Sequence, residues 1–269
     1  MKATVIVTTY NRPDALRAVL EGYLVQDRLD FELLVADDGS TEVTSRLVED
    51  YVKRAGFPLR HVWQEDRGFR PGAARNRAMA AGFADYVIFT DGDCVPQADF
   101  ISRHLMLAEP GHFLGGNRIL LSEAFTRKAL AQQLPLHQWT MAAWIAAWLR
   151  RDINRMLPLW RLPDGAFRRR RPRQWEGIKT CNFSAWRADL QKINGFDEAY
   201  SGWGLEDSDL VIRLLHAGVR HKSARCATPL FHLWHRENDR SRLPENQRRL
   251  EELLASSRIE ARQGLNQYS

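Results

Sequence analysis

Three short apolar runs in the first hundred residues each end in a polar, largely acidic cluster. Residues 4–7 lead into Thr8-Thr9-Tyr10-Asn11, residues 31–36 into Asp37-Asp38-Gly39-Ser40, and residues 86–90 into Asp91-Gly92-Asp93. The second and third runs scarcely alternate, the pattern of strands covered on both faces. Helical patterns separate them. Leu16, Val19, Leu20, Tyr23 and Leu24 fall on one helix face, with Pro13 in its first turn. Residues 73–82 and 100–108 read as two further helices, 60–63 as a weaker strand and 113–121 as another. This alternation predicts an α/β fold, a mostly parallel open sheet flanked by helices, with right-handed crossovers. Ligands of such sheets sit beyond the carboxyl ends of the strands, so the three polar clusters are expected to converge on one rim.

The second half is less regular. Met141, Trp144, Ile145, Trp148 and Leu149 follow helical spacing, and Arg150-Arg151 come next. Residues 160–175 are rich in Pro and Arg, include Arg168 to Arg171 in sequence, and read as a basic loop. A strand is expected over 178–184, and a helix over 206–217 with Leu210, Val211, Leu214 and Leu215 inward and Gly218 as its stop. An extended run follows at 227–234, then a charged C-terminal helix after Pro244. The chain is therefore read as one compact unit of two halves, 1–121 and 122–269.

Apolar residues at 44% and charged residues at 27% suit a folded globular chain. The formal net charge of +6 favours an anionic partner: nucleic acid, an anionic membrane surface or a phosphorylated ligand. Cys94, Cys181 and Cys226 are odd in number and form no Cys-x-x-Cys pair, which suggests a reducing compartment. No signal peptide is evident, and no segment approaches the roughly 20 apolar residues of a membrane span. A cytoplasmic protein is expected, or one peripheral on the cytoplasmic face of a membrane.

Several constellations offer chemistry. Asp91 and Asp93, one residue apart after a buried strand, can approach Mn²⁺ or Mg²⁺ and the phosphates it carries, although Asp-Gly is also ordinary turn chemistry. An Asp at the end of the second strand can accept from a base N–H, while Ser40 and Thr41 can cap the next helix. Arg70, Arg75 and Arg77 surround Gly68 and Gly72 at a helix entry, and arginine forks suit a diphosphate as well as they suit solvent. In Gly202-Trp203-Gly204-Leu205-Glu206-Asp207 the glycines allow close backbone approach, and Trp203 can underlie a sugar ring or belong to the core. Glu206 and Asp207 open a helix, where the dipole favours negative charge, and a carboxylate there can serve as general base. His232 and His235 end an extended run and are candidate ligands for a carboxylate-bound cation.

Taken together, these residues resemble family 2 glycosyltransferases of the GT-A fold. The resemblance rests on Val7-Thr8-Thr9-Tyr10-Asn11-Arg12, Val35-Ala36-Asp37-Asp38-Gly39-Ser40-Thr41, Gly72-Ala73-Ala74-Arg75-Asn76 and Asp91-Gly92-Asp93, in that order over about the first 120 residues. Asn194-Gly195-Phe196-Asp197-Glu198 and the Trp203 to Asp207 segment are similar to the C-terminal halves of chondroitin polymerases and β-1,4-galactosyltransferases. The resemblance implies a GT-A type unit with an acceptor-side C-terminal subdomain, and an inverting, metal-dependent transfer from a UDP-sugar to a glycan or glycolipid hydroxyl. Bacterial surface polysaccharide or lipopolysaccharide synthesis is the implied setting, with no nucleic acid involved. It also implies roles: Thr8, Tyr10, Arg12, Asp38, Arg75 and Asp91 at the donor nucleotide, and Asp91 and Asp93 with His232 or His235 at Mn²⁺ or Mg²⁺. Asp207 would be the base, assisted by Glu206, with Trp203 and Gly204 at the sugar and acceptor.

Residues 122–174 match none of these motifs and are read as facing the acceptor or an anionic membrane. A pyrophosphorylase or dinucleotide oxidoreductase would need a glycine-rich loop where Thr9-Tyr10-Asn11-Arg12-Pro13 stands. The remaining rival is a catalytically silent basic scaffold on a membrane surface or nucleic acid.

Overall fold

The computed structural model describes residues 1–236 and 239–268. The first half runs β1 (Ala3–Thr9), α1 (Pro13–Leu24), β2 (Phe31–Asp37), α2 (Glu42–Arg54), β3 (Leu59–Trp63), α3 (Pro71–Ala81), β4 (Tyr86–Asp91), β5 (Cys94–Pro96), α4 (Phe100–Leu107), β6 (His112–Gly115) and β7 (Arg118–Leu120). The second half runs α5 (Glu123–Ala131), α6 (Met141–Leu149), β8 (Asn182–Trp186), α7 (Arg187–Lys192), α8 (Glu206–His216), β9 (Arg220–Ser223), β10 (Leu230–His232) and α9 (Leu243–Leu254). One sheet has the order β3-β2-β1-β4-β8-β6-β9, and β5-β10-β7 form a smaller one.

Within the large sheet β3, β2, β1 and β4 are parallel. The near-continuous apolar runs follow from cover on both faces. Val5, Val7, Leu33, Val35 and Ile88 point into a core shared with α1 and α2, whereas Ile6, Leu34, Val87 and Phe89 point into one shared with α3, α7 and α8. β1 lies between β2 and β4, so successive crossovers diverge from its end and leave a crevice there. Thr9 is in register with Asp37 and Thr8 with Asp91, which puts the three polar clusters side by side.

The strand expected over 113–121 is two strands in two sheets. β6 stays in the large sheet, while β7 joins β10. Asn182 holds the corner between them: its carbonyl accepts from Gly116 N–H at 2.8 Å and its Nδ2 donates to Asn117 O at 2.8 Å. β8, from the second half, enters between β4 and β6, antiparallel to both, so the halves share one sheet. The capping expected of Ser40 and Thr41 is also absent. Thr41 stands at the N-cap of α2 without a side-chain cap bond. Ser40 Oγ instead accepts from Asn11 N–H at 2.8 Å, and Thr41 N–H donates to Asn11 Oδ1 at 2.9 Å. These bonds stitch the β2 turn to the β1 turn.

The run Arg168 to Arg171 is not a uniform solvated face. Arg168 is buried and donates to the carbonyls of Pro163, Leu162, Ser223 and Arg225, while Arg169 pairs with Glu109. Loop carbonyls left without partners by irregular backbone explain why a guanidinium belongs there.

His104 of α4 is fully buried between Ser184 Oγ (2.8 Å) and Asn182 Oδ1 (3.1 Å), and burial depresses its pKa to about 3. The unfolded chain protonates this imidazole near pH 6.5 and the folded chain does not. Stability contributed by the neutral ring is thus complete above about pH 6.5 and declines as pH falls toward 3. Between pH 7 and 5 the expected loss is about 2 kcal/mol. Urea denaturation of His104→Gln should show a shallower acid slope than the parent; an identical slope contradicts the assignment.

Candidate active site

A cleft of about 870 Å³ opens beyond the carboxyl ends of β1, β2 and β4. Thr8, Tyr10, Arg12, Asp38, Arg75, Asp91, Asp93, Trp203, Gly204, Glu206, Asp207, His232 and His235 all line it. Arg70 lines it too, with its guanidinium on Glu65 O at 2.7 Å. Arg77 does not: it points outward from α3 and lies over the Tyr268 ring, 5.0 Å from the centroid. Two helical steps, about 200°, separate Arg77 from Arg75, so it cannot share the inward face that Arg75 uses.

Arg75 is the hub. Its side chain is 5% exposed, and it donates to Thr8 Oγ1 at 3.0 Å, Asp91 Oδ1 at 3.0 Å and Glu206 Oε1 at 3.4 Å, with Asp207 Oδ1 at 3.9 Å. Burial opposes its charge, yet Asp91, Asp207 and Glu206 together hold it protonated above its ordinary range. Burial also raises Asp91, against the pull of Arg75. Burial and the neighbouring Asp207 push Glu206 up to about 7. Glu206 therefore carries a proton for part of the time near neutrality and can donate a hydrogen bond.

Asp93 faces away from that hub toward the end of β10. Its Oδ2 lies 3.7 Å from His232 Nε2 and 3.4 Å from His235 Nε2. The β5–β10 pairing, His232 opposite Cys94, brings these residues together. Burial lowers His232 to about 4, so its ring is neutral with a lone pair free for a cation. One carboxylate and two imidazoles form a mixed oxygen and nitrogen donor set that can hold a divalent cation. Cys94 Sγ lies beside Asp93 and His232, but burial raises its thiol pKa, and it donates weakly to Asp93 Oδ1 at 3.4 Å.

At the far end, two adjacent aspartates divide their work. Asp37 Oδ1 accepts from Ser40 N–H at 2.8 Å and closes the turn, while its Oδ2 meets His61 at 2.8 Å. Asp38 turns into the cleft wall, where Gln64 Nε2 and Arg70 N–H each donate to it at 2.6 Å. Burial raises its pKa. Gly39 between them has φ +98°, and a Cβ there would sit 2.5 Å from Asp66 Cα. Tyr10 is 42% exposed, with its hydroxyl donating to Asp66 Oδ2 at 2.9 Å and its ring left open. Arg12 sits at the rim, paired with Asp14 at 2.9 Å.

Trp203 is covered on one face by the Arg240 guanidinium, 4.7 Å from the ring centroid. Leu205, at the N-cap of α8, has φ +76°, a left-handed conformation that costs a side-chain-bearing residue about 1–3 kcal/mol and aims Glu206 and Asp207 into the cleft. The motif Asn194-Gly195-Phe196-Asp197-Glu198 lies behind the site. Asn76 donates to Phe196 O and Glu198 Oε1, both at 2.9 Å, which locks α3, and so Arg75, against it. Gly195 has φ +66°, and a Cβ would fall 2.4 Å from Asn76 Oδ1.

Sequence reasoning missed Thr180, whose hydroxyl donates to Asp207 Oδ1, and the cleft-lining Lys179 and Arg118. No local pattern marks them. Gln64 and Asp66 were within reach, since they follow β3 as the other clusters follow their strands.

A family model described as glycosyl transferase family 2 matches residues 4–186, and one described as the N-terminal domain of galactosyltransferase matches residues 166–236. The validoxylamine A glucosyltransferase of Streptomyces hygroscopicus subsp. limoneus is 29% identical over 228 residues, 80% of this chain and 48% of that protein. The chain thus spans about half the length of that relative. Among solved structures, S. aureus TarS 1–349 in complex with UDP covers the whole chain and 68% of its own, with a TM-score of 0.63 and 17% identity. Glucosyl-3-phosphoglycerate synthase from Mycobacterium tuberculosis, in complex with Mn²⁺ and UDP-glucose, covers 96% of this chain and 79% of its own, with a TM-score of 0.52 and 19% identity. The shared architecture, a mostly parallel central sheet flanked by helices, is the GT-A fold.

Proposed function

The chain belongs to glycosyl transferase family 2, and from that premise we propose that it moves a sugar from a UDP-sugar to an acceptor hydroxyl, with inversion and with Mn²⁺ or Mg²⁺ as cofactor. One observation carries this reading: Asp93, His232 and His235 sit at one part of a cleft whose other part holds Asp207, with Arg75 and Asp91 between the two groups. The acceptor is taken to be a glycan or glycolipid.

The uracil and ribose lie along Thr8, Tyr10, Arg12 and Asp38, where Tyr10 offers a ring face and Asp38 the remaining lone pairs of its oxygens. Asp93, His232 and His235 would hold the cation. Asp91 has Oδ1 on Arg75 and Oδ2 left for the ion or a sugar hydroxyl. When bound, the cation neutralises charge that develops on the departing diphosphate. The acceptor oxygen attacks C1 from the side opposite the phosphate; the new C–O bond forms as the bond to UDP breaks. Asp207 takes the hydroxyl proton. Protonated Glu206 donates to a sugar or acceptor hydroxyl, and Trp203 with Gly204 borders the sugar. Support for the UDP and metal parts comes from the ligands of TarS and glucosyl-3-phosphoglycerate synthase.

Calorimetry with UDP, with and without Mn²⁺, tests the site. Binding is expected to depend on Mn²⁺ and to weaken about 10–100-fold in Asp93→Asn, the loss seen when even outer partners of a metal site are removed. UDP binding that ignores both metal and substitution would overturn the metal assignment, and no binding of UDP with or without Mn²⁺ would favour the scaffold reading. A screen for UDP release across UDP-glucose, UDP-galactose, UDP-N-acetylhexosamines and UDP-glucuronate then names the donor.

A further inference from the structure

Helix α6 is anchored on one side and bare on the other. Trp144 stacks on Phe231 of β10, with ring centroids 3.9 Å apart and planes at 13°, and Ala147 packs into the same core. The adjoining side presents Met141, Ile145 and Trp148 at helical spacing with Leu149 beside them, each at least 45% exposed. Further along, Leu157 and Trp160 are 64% and 72% exposed. Single exposed apolar residues are ordinary, but six large ones within residues 141–160 call for a partner.

The charge in the same stretch says which. Arg150, Arg151 and Arg155 are exposed, and the one acid is Asp152, which pairs with Arg150 at 2.9 Å. Arg151 and Arg155 make no ion pair among the described residues. A second copy of this surface would set arginine against arginine. An anionic bilayer would accept both parts, since tryptophan and leucine insert at headgroup depth while arginines meet lipid phosphates. No helix among the described residues is long and apolar enough to cross a membrane.

We propose that residues 141–160 dock the protein on the surface of an anionic phospholipid bilayer, with Trp148, Leu149, Leu157 and Trp160 in the interface. The docking surface is wired to the cleft. Asn154 N–H donates to Leu120 O at 3.1 Å, Ser122 N–H to Asp152 O at 2.8 Å, and Leu121 N–H to the carbonyl of the cleft residue His232 at 3.0 Å. Docking would hold the His232 end of the cleft close to the lipid surface. The inference stands on surface chemistry and is independent of the reaction proposed above.

Co-sedimentation of the full chain with vesicles tests it. Binding to phosphatidylglycerol-rich vesicles is expected to exceed binding to phosphatidylcholine alone by about tenfold or more and to weaken with salt. The triple variant Trp148→Ser, Leu149→Ser, Trp160→Ser should lose about tenfold or more of that partitioning. Arg151→Ser with Arg155→Ser should reduce it and keep the parent's thermal midpoint, which covers the case of a misfolded triple variant. No association with anionic vesicles, or unchanged association in both variants, overturns the proposal. So does a solution dimer that the triple variant dissociates, since the patch would then belong to a second copy.

Discussion

Asp207→Asn is expected to slow sugar transfer by about 10²–10⁴-fold, or about 3–5 kcal/mol of barrier, while UDP binding with Mn²⁺ is unchanged. Asparagine keeps the shape and can still accept the Thr180 hydroxyl that now meets Oδ1, so the wall of the cleft should survive. It cannot take a proton from an incoming hydroxyl. The Asp93 and histidine group lies on the other side of Arg75, which is why donor affinity should be spared. The loss should fall on kcat with little change in acceptor KM, the signature of an interaction made in the transition state. Glu206→Gln, which retains a hydrogen-bond donor, should lose less. A fully active Asp207→Asn enzyme would remove the base from the mechanism.

Arg75→Met is expected to destabilise the fold by about 3–5 kcal/mol at pH 8, because a buried cation leaves Asp91, Glu206 and Asp207 facing one another without it. Asp91 keeps a 30% exposed side chain and can be partly hydrated, which favours the lower end of that range. The sign of the pH dependence follows from the raised carboxyls. Asp91 and Glu206 already hold protons above their ordinary range, and removal of the cation raises them further. The folded variant then binds more protons than the unfolded chain, so its deficit shrinks as pH falls from about 7 toward the ordinary carboxylate range. Urea denaturation at pH 8 and pH 5.5 measures this; equal midpoints for parent and variant at pH 8 would show that Arg75 is not the counterion of the cluster.

Much of the site was legible because strand ends are local features. An apolar run that stops at Asp91 or Asp38 announces its own carboxyl end, and a parallel sheet carries all such ends to one rim. Roles within each cluster were less legible. Asp37 and Asp38 look alike in sequence, yet one closes its turn through Ser40 and the other faces the cleft. Arg75 and Arg77 are two residues apart in a helix, and only the inward one joins the carboxylates. Asn194 to Glu198 reads as a motif of the site, although its contact with Asn76 makes it the wall behind Arg75.

The sequence by itself determined where strands end, which helix opens with Glu206 and Asp207, and that acidic and imidazole groups were available for a cation. The tertiary structure alone decided that Asp93 meets His232, that Arg75 meets Glu206 across 131 residues, and that Asn182 splits one apolar run between two sheets. The reason is one of range. Periodicity and turn chemistry act over a few neighbouring residues, whereas the partner of a buried charge or amide is whichever group the packed sheets bring within about 3 Å to satisfy it.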